Sequence, residues 1–146
     1  MSLRASTGLR NYMLDTGSLK AALALGKIYI YSGAVPADAD AAVTGTLICT
    51  ITESSGGTGL SLAASAATGT ITKNGTTWSG VVSGAGTQTA TYWRFAAVGD
   101  TGVSSTTEKR LQGLAATSGS ELVMTSTSLT NGATQAVDYF SVALPA

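Results

Sequence analysis

Asp38 and Asp40 stand two residues apart in the run PADAD, the closest pairing of acids in the sequence. That spacing can begin a calcium loop, but a full site needs roughly six to eight oxygens, and the glycine and distal glutamate of an EF-hand are missing. The pair reads as an exposed polar loop. The remaining acids, Asp15, Glu53, Asp100, Glu108, Glu121 and Asp138, fall in no recognisable catalytic motif. The chain has no histidine and one cysteine. Ser-His-Asp and Cys-His nucleophiles are therefore excluded, as are histidine-bearing or multi-thiolate metal sites. The glycine-rich run SSGGTG, Ser54 to Gly59, lacks the lysine and following helix of a phosphate loop. Cys49, in an alternating apolar run, reads as a small core residue. These absences predict a protein that is not an enzyme and takes no metal or cofactor.

Composition narrows the partners. Charged residues make up 11% of the 146 residues and formal net charge is zero, against about 25% charged in an average protein. The basic residues are scattered, with only Lys109 and Arg110 adjacent, so no basic footprint for nucleic acid is formed. No apolar run approaches the roughly 20 residues of a membrane span. Arg10, Asp15 and Lys20 interrupt any secretory h-region. A surface covered by Ser, Thr, Gly and Ala, with little charge to keep copies apart, suits a protein docked in an assembly and equally a neutral soluble domain.

The elements that would position any site follow from periodicity. Residues 1–26 differ from the rest. Ser18 can cap a short helix from Leu19 to Leu25 that Gly26 ends, with Leu19 and Leu23 on one face. The first half of this segment, with Gly8 and Gly17, reads as an irregular or extended arm. After Gly26 the pattern alternates. KIYIYSG places Ile28 and Ile30 opposite Tyr29 and Tyr31; TLICTIT places Leu47, Cys49 and Ile51 opposite Ile48 and Thr50. GLSLAAS is a weaker strand. GTITKNGTTWSGVV reads as a hairpin about Asn74-Gly75, with a second turn at Asn131-Gly132. TATYWRFAAV, KRLQGLAA, SELVMTSTSLT and QAVDYFSVAL complete about eight or nine short strands. The pattern predicts an all-β, jelly-roll-like β-sandwich over residues 27–146, with an N-terminal arm and short helix over 1–26.

Two groups of residues then stand out as contacts. In TATYWRFAAV, Trp93 and Phe95 share the expected core face, while Tyr92, Arg94 and Ala96 share the other. That second face is either solvated or a subunit contact, since Arg and Tyr are favoured at interface centres. A guanidinium buried there must meet a carboxylate or carbonyls. In the arm, Leu3, Leu9, Tyr12, Met13 and Leu14, with Arg4 and Arg10 among them, are apolar enough either to cap the domain's own sandwich or to grip a neighbour.

The run Gly17 to Thr52, with its elements SLKAAL, IYIYSG, VPADADAA and GTLICTIT, resembles a family of small virion structural proteins of tailed bacteriophages. So do YWRF, TEKRLQG and SELVMTSTSLTNG in the second half. The resemblance implies a capsid decoration or cement protein on the outer surface of the virion head, made in the host cytoplasm. It implies the major capsid protein and further copies of itself, as a dimer or trimer, as partners. A tail or fibre module binding a receptor or glycan is the alternative, with Trp78 and Trp93 as the candidate sugar platforms, although each lies in a strand at a core position and packing is favoured over binding.

Overall fold

The alternation that starts at Lys27 becomes a strand, and the rest of the chain builds outward from it. The computed structural model describes residues 3–145. Its elements run β1 (Arg4–Ala5), α1 (Thr7–Asp15), α2 (Leu19–Leu23), β2 (Lys27–Ser32), β3 (Thr46–Glu53), β4 (Thr70–Thr72), β5 (Trp78–Val81), β6 (Thr87–Thr89), β7 (Tyr92–Ala96), β8 (Arg110–Leu114), β9 (Leu122–Met124), β10 (Ser128–Thr130) and β11 (Thr134–Ala143). The fold is mostly β, a curled antiparallel sheet with two short helices, and is sandwich-like.

Neighbouring strands follow the order β1-β8-β7-β2-β3-β5-β11; β11 also pairs β4 and β9, and β6 pairs β10 separately. The curl is forced by the aromatic core. Trp93 on β7 lies 5.6 Å from Phe140 on β11, and Phe95 lies 6.1 Å from Trp78 on β5. A flat sheet would hold β7 and β11, four places apart, about 19 Å from each other. Closing that gap buries Ile28, Ile30, Ile51, Trp78, Trp93, Phe95 and Phe140 completely. Burial of each such side chain favours folding by roughly 1.5–3 kcal/mol, which makes these side chains the main support of the curled shape.

Alternation is broken where the sheet bends. The β2–β3 register shifts between Ile30 and Tyr31, so Ile48 and Cys49 are both buried although adjacent, and Leu47 turns 40% exposed. The expected grouping of Leu47 with Cys49 and Ile51 is corrected by this bulge, which rephases the side chains.

The hairpin about Asn74-Gly75 is also corrected. β4 and β5 do not pair with each other; both pair with β11, at Ser141↔Thr72 and Val137↔Trp78. β9 occupies the opposite edge at Val137 and Phe140, so β4 and β5 run end to end along one edge of β11. Residues between them form a bulge, with the Lys73 amide still donating to the Phe140 carbonyl and the Asn74 amide to the Ser61 carbonyl. Neither Asn74 nor Gly75 has the positive φ that a type I′ turn requires. The second turn forms as expected, with Gly132 at φ +84°, although SELVMTSTSLT divides into β9 and β10.

The third correction concerns the arm. Residues 7–15 are the helix α1, not irregular chain. Ser6 caps it, its hydroxyl accepting from the Leu9 amide at 3.1 Å. Gly8 is required by a close approach rather than by flexibility: a Cβ there would lie 2.3 Å from the Thr107 carbonyl oxygen. α2 is capped by Ser18 as expected, and Leu25 then turns the chain with φ +60°.

Candidate contact surfaces

β7 and β8 carry an apolar face into the core and a polar face away from it. The polar face is not open. Tyr92 is fully buried and Arg94 is 1% exposed, beneath the loop between β2 and β3. The Arg94 guanidinium donates from Nη1 to the Ala41 carbonyl (2.9 Å) and from Nη2 to the Asp38 carbonyl (3.4 Å). Nε and Nη2 both reach Gln112 Oε1, at 3.2 and 2.6 Å. Gln112, its partner across the ladder, passes its own amide N–H to the Pro36 carbonyl at 3.1 Å. Tyr92 donates its hydroxyl to the Thr44 carbonyl at 2.6 Å and stacks on Tyr31 with centroids 4.9 Å apart. Desolvation, and then the nearby Arg110 charge, lower the Arg94 pKa, yet a guanidinium remains protonated.

Arg110 repeats the arrangement one step along. It pairs bidentately with Asp100, Nη2 to Oδ1 at 2.8 Å and Nε to Oδ2 at 2.5 Å, with the two side chains 0% and 1% exposed. Its remaining N–H groups reach the carbonyls of Val103 (2.7 Å) and Ala39 (3.2 Å). The expectation of an outer face for Tyr92 and Arg94, solvated or docked, is thus corrected. Both are internal clamps that hold the chain's own loop by its carbonyls, and the requirement that a buried Arg94 meet carbonyls is met. Sequence reasoning missed Arg110 and Gln112; their alternation within KRLQG, in step with Arg94, was the available signal.

Asp38 and Asp40 are consumed by the same loop. Asp38 Oδ1 accepts from the amides of Asp40 and Ala41. Asp40 accepts from the Thr7 amide at 2.8 Å and the Thr7 hydroxyl at 2.6 Å, which ties the start of α1 to the loop. Burial works against the Asp40 carboxylate, but the Thr7 hydrogen bonds, with Arg10 and Arg110 nearby, hold it below the usual carboxylate range. Among the described residues, no group of three or more His, Cys, Asp or Glu gathers to hold a metal.

The proposed gripping residues are divided by the fold. Leu9 is fully buried in the main core, a correction to its reading as a contact. Leu3, Tyr12 and Met13 are half-buried and packed on that core. Arg4, Arg10 and Leu14 are exposed, Leu14 by 85%. Between the helices and the end of β11 lies an open, mostly apolar groove of about 320 Å³, lined by Met13, Leu19, Ile71, Val142 and Leu144. Another cavity, of about 200 Å³ and mixed polar and apolar lining, lies over the clamp, bordered by Tyr29, Tyr31, Val43, Leu47, Arg94 and Asp100. Its chemistry is muted. Asp100 is saturated by Arg110 and the Gly102 amide. Burial, followed by the Tyr92 neighbour and opposed by Arg94, pushes the Tyr31 phenol up to about 12. Trp78 and Trp93 are both completely buried and present no platform to a sugar.

No family model, curated protein or solved structure matches the chain at a significant level.

Proposed function

We propose that this protein is a capsid cement or decoration protein of a tailed bacteriophage, binding the outer shell across subunit boundaries. The observation that carries the reading is the open groove of Met13, Leu19, Ile71, Val142 and Leu144, with Leu144 62% exposed; Leu14, which follows Met13 in α1 without lining the groove, is 85% exposed. The groove sits on a body whose buried arginines are spent internally. Large apolar side chains left in water beside a concave apolar surface favour contact with another protein. The low surface charge and the resemblance of the sequence to phage virion proteins support the same reading. Each contact is modest, about 1.5–3 kcal/mol for a large side chain fully removed from water, but many copies on a fixed lattice make modest contacts effective.

Sedimentation with expanded capsids tests it. The protein is expected to co-sediment and to raise the temperature at which shells rupture. The variant carrying Leu14→Asp and Leu144→Asp is expected to keep its fold by circular dichroism and lose co-sedimentation. Unchanged binding by that variant removes the groove from the account. Absence of the protein from mature particles overturns the reading itself.

A further inference from the structure

The bulge between β4 and β5 holds an Asn-Gly dipeptide in an unusual setting. Asn74 Oδ1 accepts three hydrogen bonds: from the Thr76 amide (3.3 Å), the Thr76 hydroxyl (2.6 Å) and the Trp78 indole N–H (3.1 Å). The bond to the amide two residues on is an Asx turn, whose hydrogen-bonded ring includes the Gly75 backbone nitrogen. The three donors face the oxygen on which negative charge gathers when a nucleophile adds to the Asn74 Cγ, the arrangement that stabilises an oxyanion. The Gly75 amide is engaged by no hydrogen bond among the described residues. Gly75 is exposed, and even a Cβ there would meet nothing within 4 Å.

We propose that Asn74 is a self-modification site, which deamidates through its own backbone faster in the folded protein than in the unfolded chain. The Gly75 backbone nitrogen loses its proton to water and bonds to the Asn74 Cγ. The side-chain nitrogen takes up a proton and leaves as ammonia, closing a five-membered imide. A water molecule opens the ring at either carbonyl, giving aspartate or isoaspartate. One water is consumed and one ammonia released, with no change of oxidation state. The aspartate product inherits the three donors and lies beside Lys73, whose ammonium donates to the Asn74 and Thr76 carbonyls at 3.3 and 2.6 Å. The isoaspartate product adds its extra backbone atom at a bulge, where the ladder is already interrupted. In a chain of zero formal net charge, either product adds a full negative charge.

The second Asn-Gly pair is an internal control. The Gly132 amide donates to the Val82 carbonyl at 2.9 Å, so its nucleophile is occupied, and no hydrogen bond to the Asn131 side chain is formed among the described residues.

The test is peptide mass spectrometry of the folded protein, aged at neutral and mildly alkaline pH, with the urea-unfolded chain in parallel. Asn74 is expected to convert several-fold faster than Asn131 when folded, and several-fold faster folded than unfolded. Thr76→Val, checked for fold by circular dichroism, removes the hydroxyl donor and is expected to slow Asn74 about tenfold, less than loss of a donor in a dry active site, with Asn131 unchanged. Asn131 keeping pace with Asn74 in the folded protein, faster conversion of Asn74 in the unfolded chain, or an unaltered rate in the folded Thr76→Val variant would each overturn the proposal.

Discussion

Arg94 shows how one side chain decides the state of a whole face. Its fork spans Gln112 Oε1 and the carbonyls of Ala41 and Asp38. Removing it takes the guanidinium from the buried Gln112 Oε1 and from the partly buried carbonyls of Ala41 and Asp38. Arg94→Ala is therefore expected to lower stability by about 2–4 kcal/mol, within the range for breaking buried charged hydrogen bonds. Arg94→Lys is expected to recover little, since an ammonium cannot reproduce the planar fork. Urea midpoints at fixed slope decide this, and a loss below about 0.5 kcal/mol, the scale of an ordinary surface substitution, would show that the loop stands without the clamp. The buried acids of this chain set its alkaline limit. Burial raises the Cys49 thiol from 9.0 to about 11 and burial first, then Tyr92, raises the Tyr31 phenol from 10.0 to about 12. Each raised group ionises earlier in the unfolded chain. Its contribution is intact below the unfolded pKa and is lost as pH climbs to the folded one. Stability is thus expected to decline from about pH 9 upward, and Cys49→Ala, compared at matched initial stability, to delay the onset. An unchanged onset in a pH series of thermal melts would refute that assignment.

At the scale of elements, α1 is held by contacts from outside itself. Helices of this length are marginal alone. Ser6 caps α1 while its hydroxyl also donates to the Glu108 carbonyl and accepts from the Arg110 amide. Asp40 holds Thr7 from a loop 33 residues away. Ser6→Ala is expected to cost about 1–2 kcal/mol, the upper part of the range for a cap, because three partners lose it together. Gly8→Ala is expected to cost more, since its Cβ would meet the Thr107 backbone at 2.3 Å. Chemical denaturation ranks the pair; a Gly8→Ala variant as stable as the parent would mean the approach is not needed. The sequence concealed α1 for a physical reason. Gly8 and Gly17 look like helix breakers, yet Gly8 is demanded by the Thr107 backbone and Gly17 accepts the chain just beyond the helix end, beside the Tyr12 ring. The NG dipeptide concealed the bulge likewise: a turn former between two strand-like runs specifies a local reversal only if the runs find each other before β11 finds both.

At the scale of the molecule, the N-terminal segment and the strands share one core. Leu9, Ala22 and Leu23 belong to the same buried cluster as Trp93 and Phe140. Deleting residues 1–16 to ask whether they grip a capsid would remove Leu9 from that cluster. The truncated chain is expected to lose cooperative unfolding or stability by at least the roughly 2–5 kcal/mol of a buried leucine, so surface substitutions at Leu14 and Leu144 are the cleaner probe of docking. A truncation that melts like the parent would separate the arm from the body after all. Exposed apolar side chains are spread over the surface, Val98 by 71% and Val103 by 60% among them; the groove at the end of β11 is where one of them, Leu144, borders a concave apolar lining.

The sequence by itself determined the all-β character, the strand at TATYWRFAAV with Trp93 and Phe95 inward, the α2 cap and the turn at Gly132. Each of these is written in spacing along the chain, because backbone geometry turns a period of two into two faces and a capped run into a helix. Only the tertiary structure decided which carbonyls receive Arg94 and Arg110, that Leu9 is core, and that β4 and β5 lie end to end on β11. Those outcomes depend on register and curvature between segments tens of residues apart, where the partner of a group is chosen by what the curled sheet places above it and not by any neighbour in the chain.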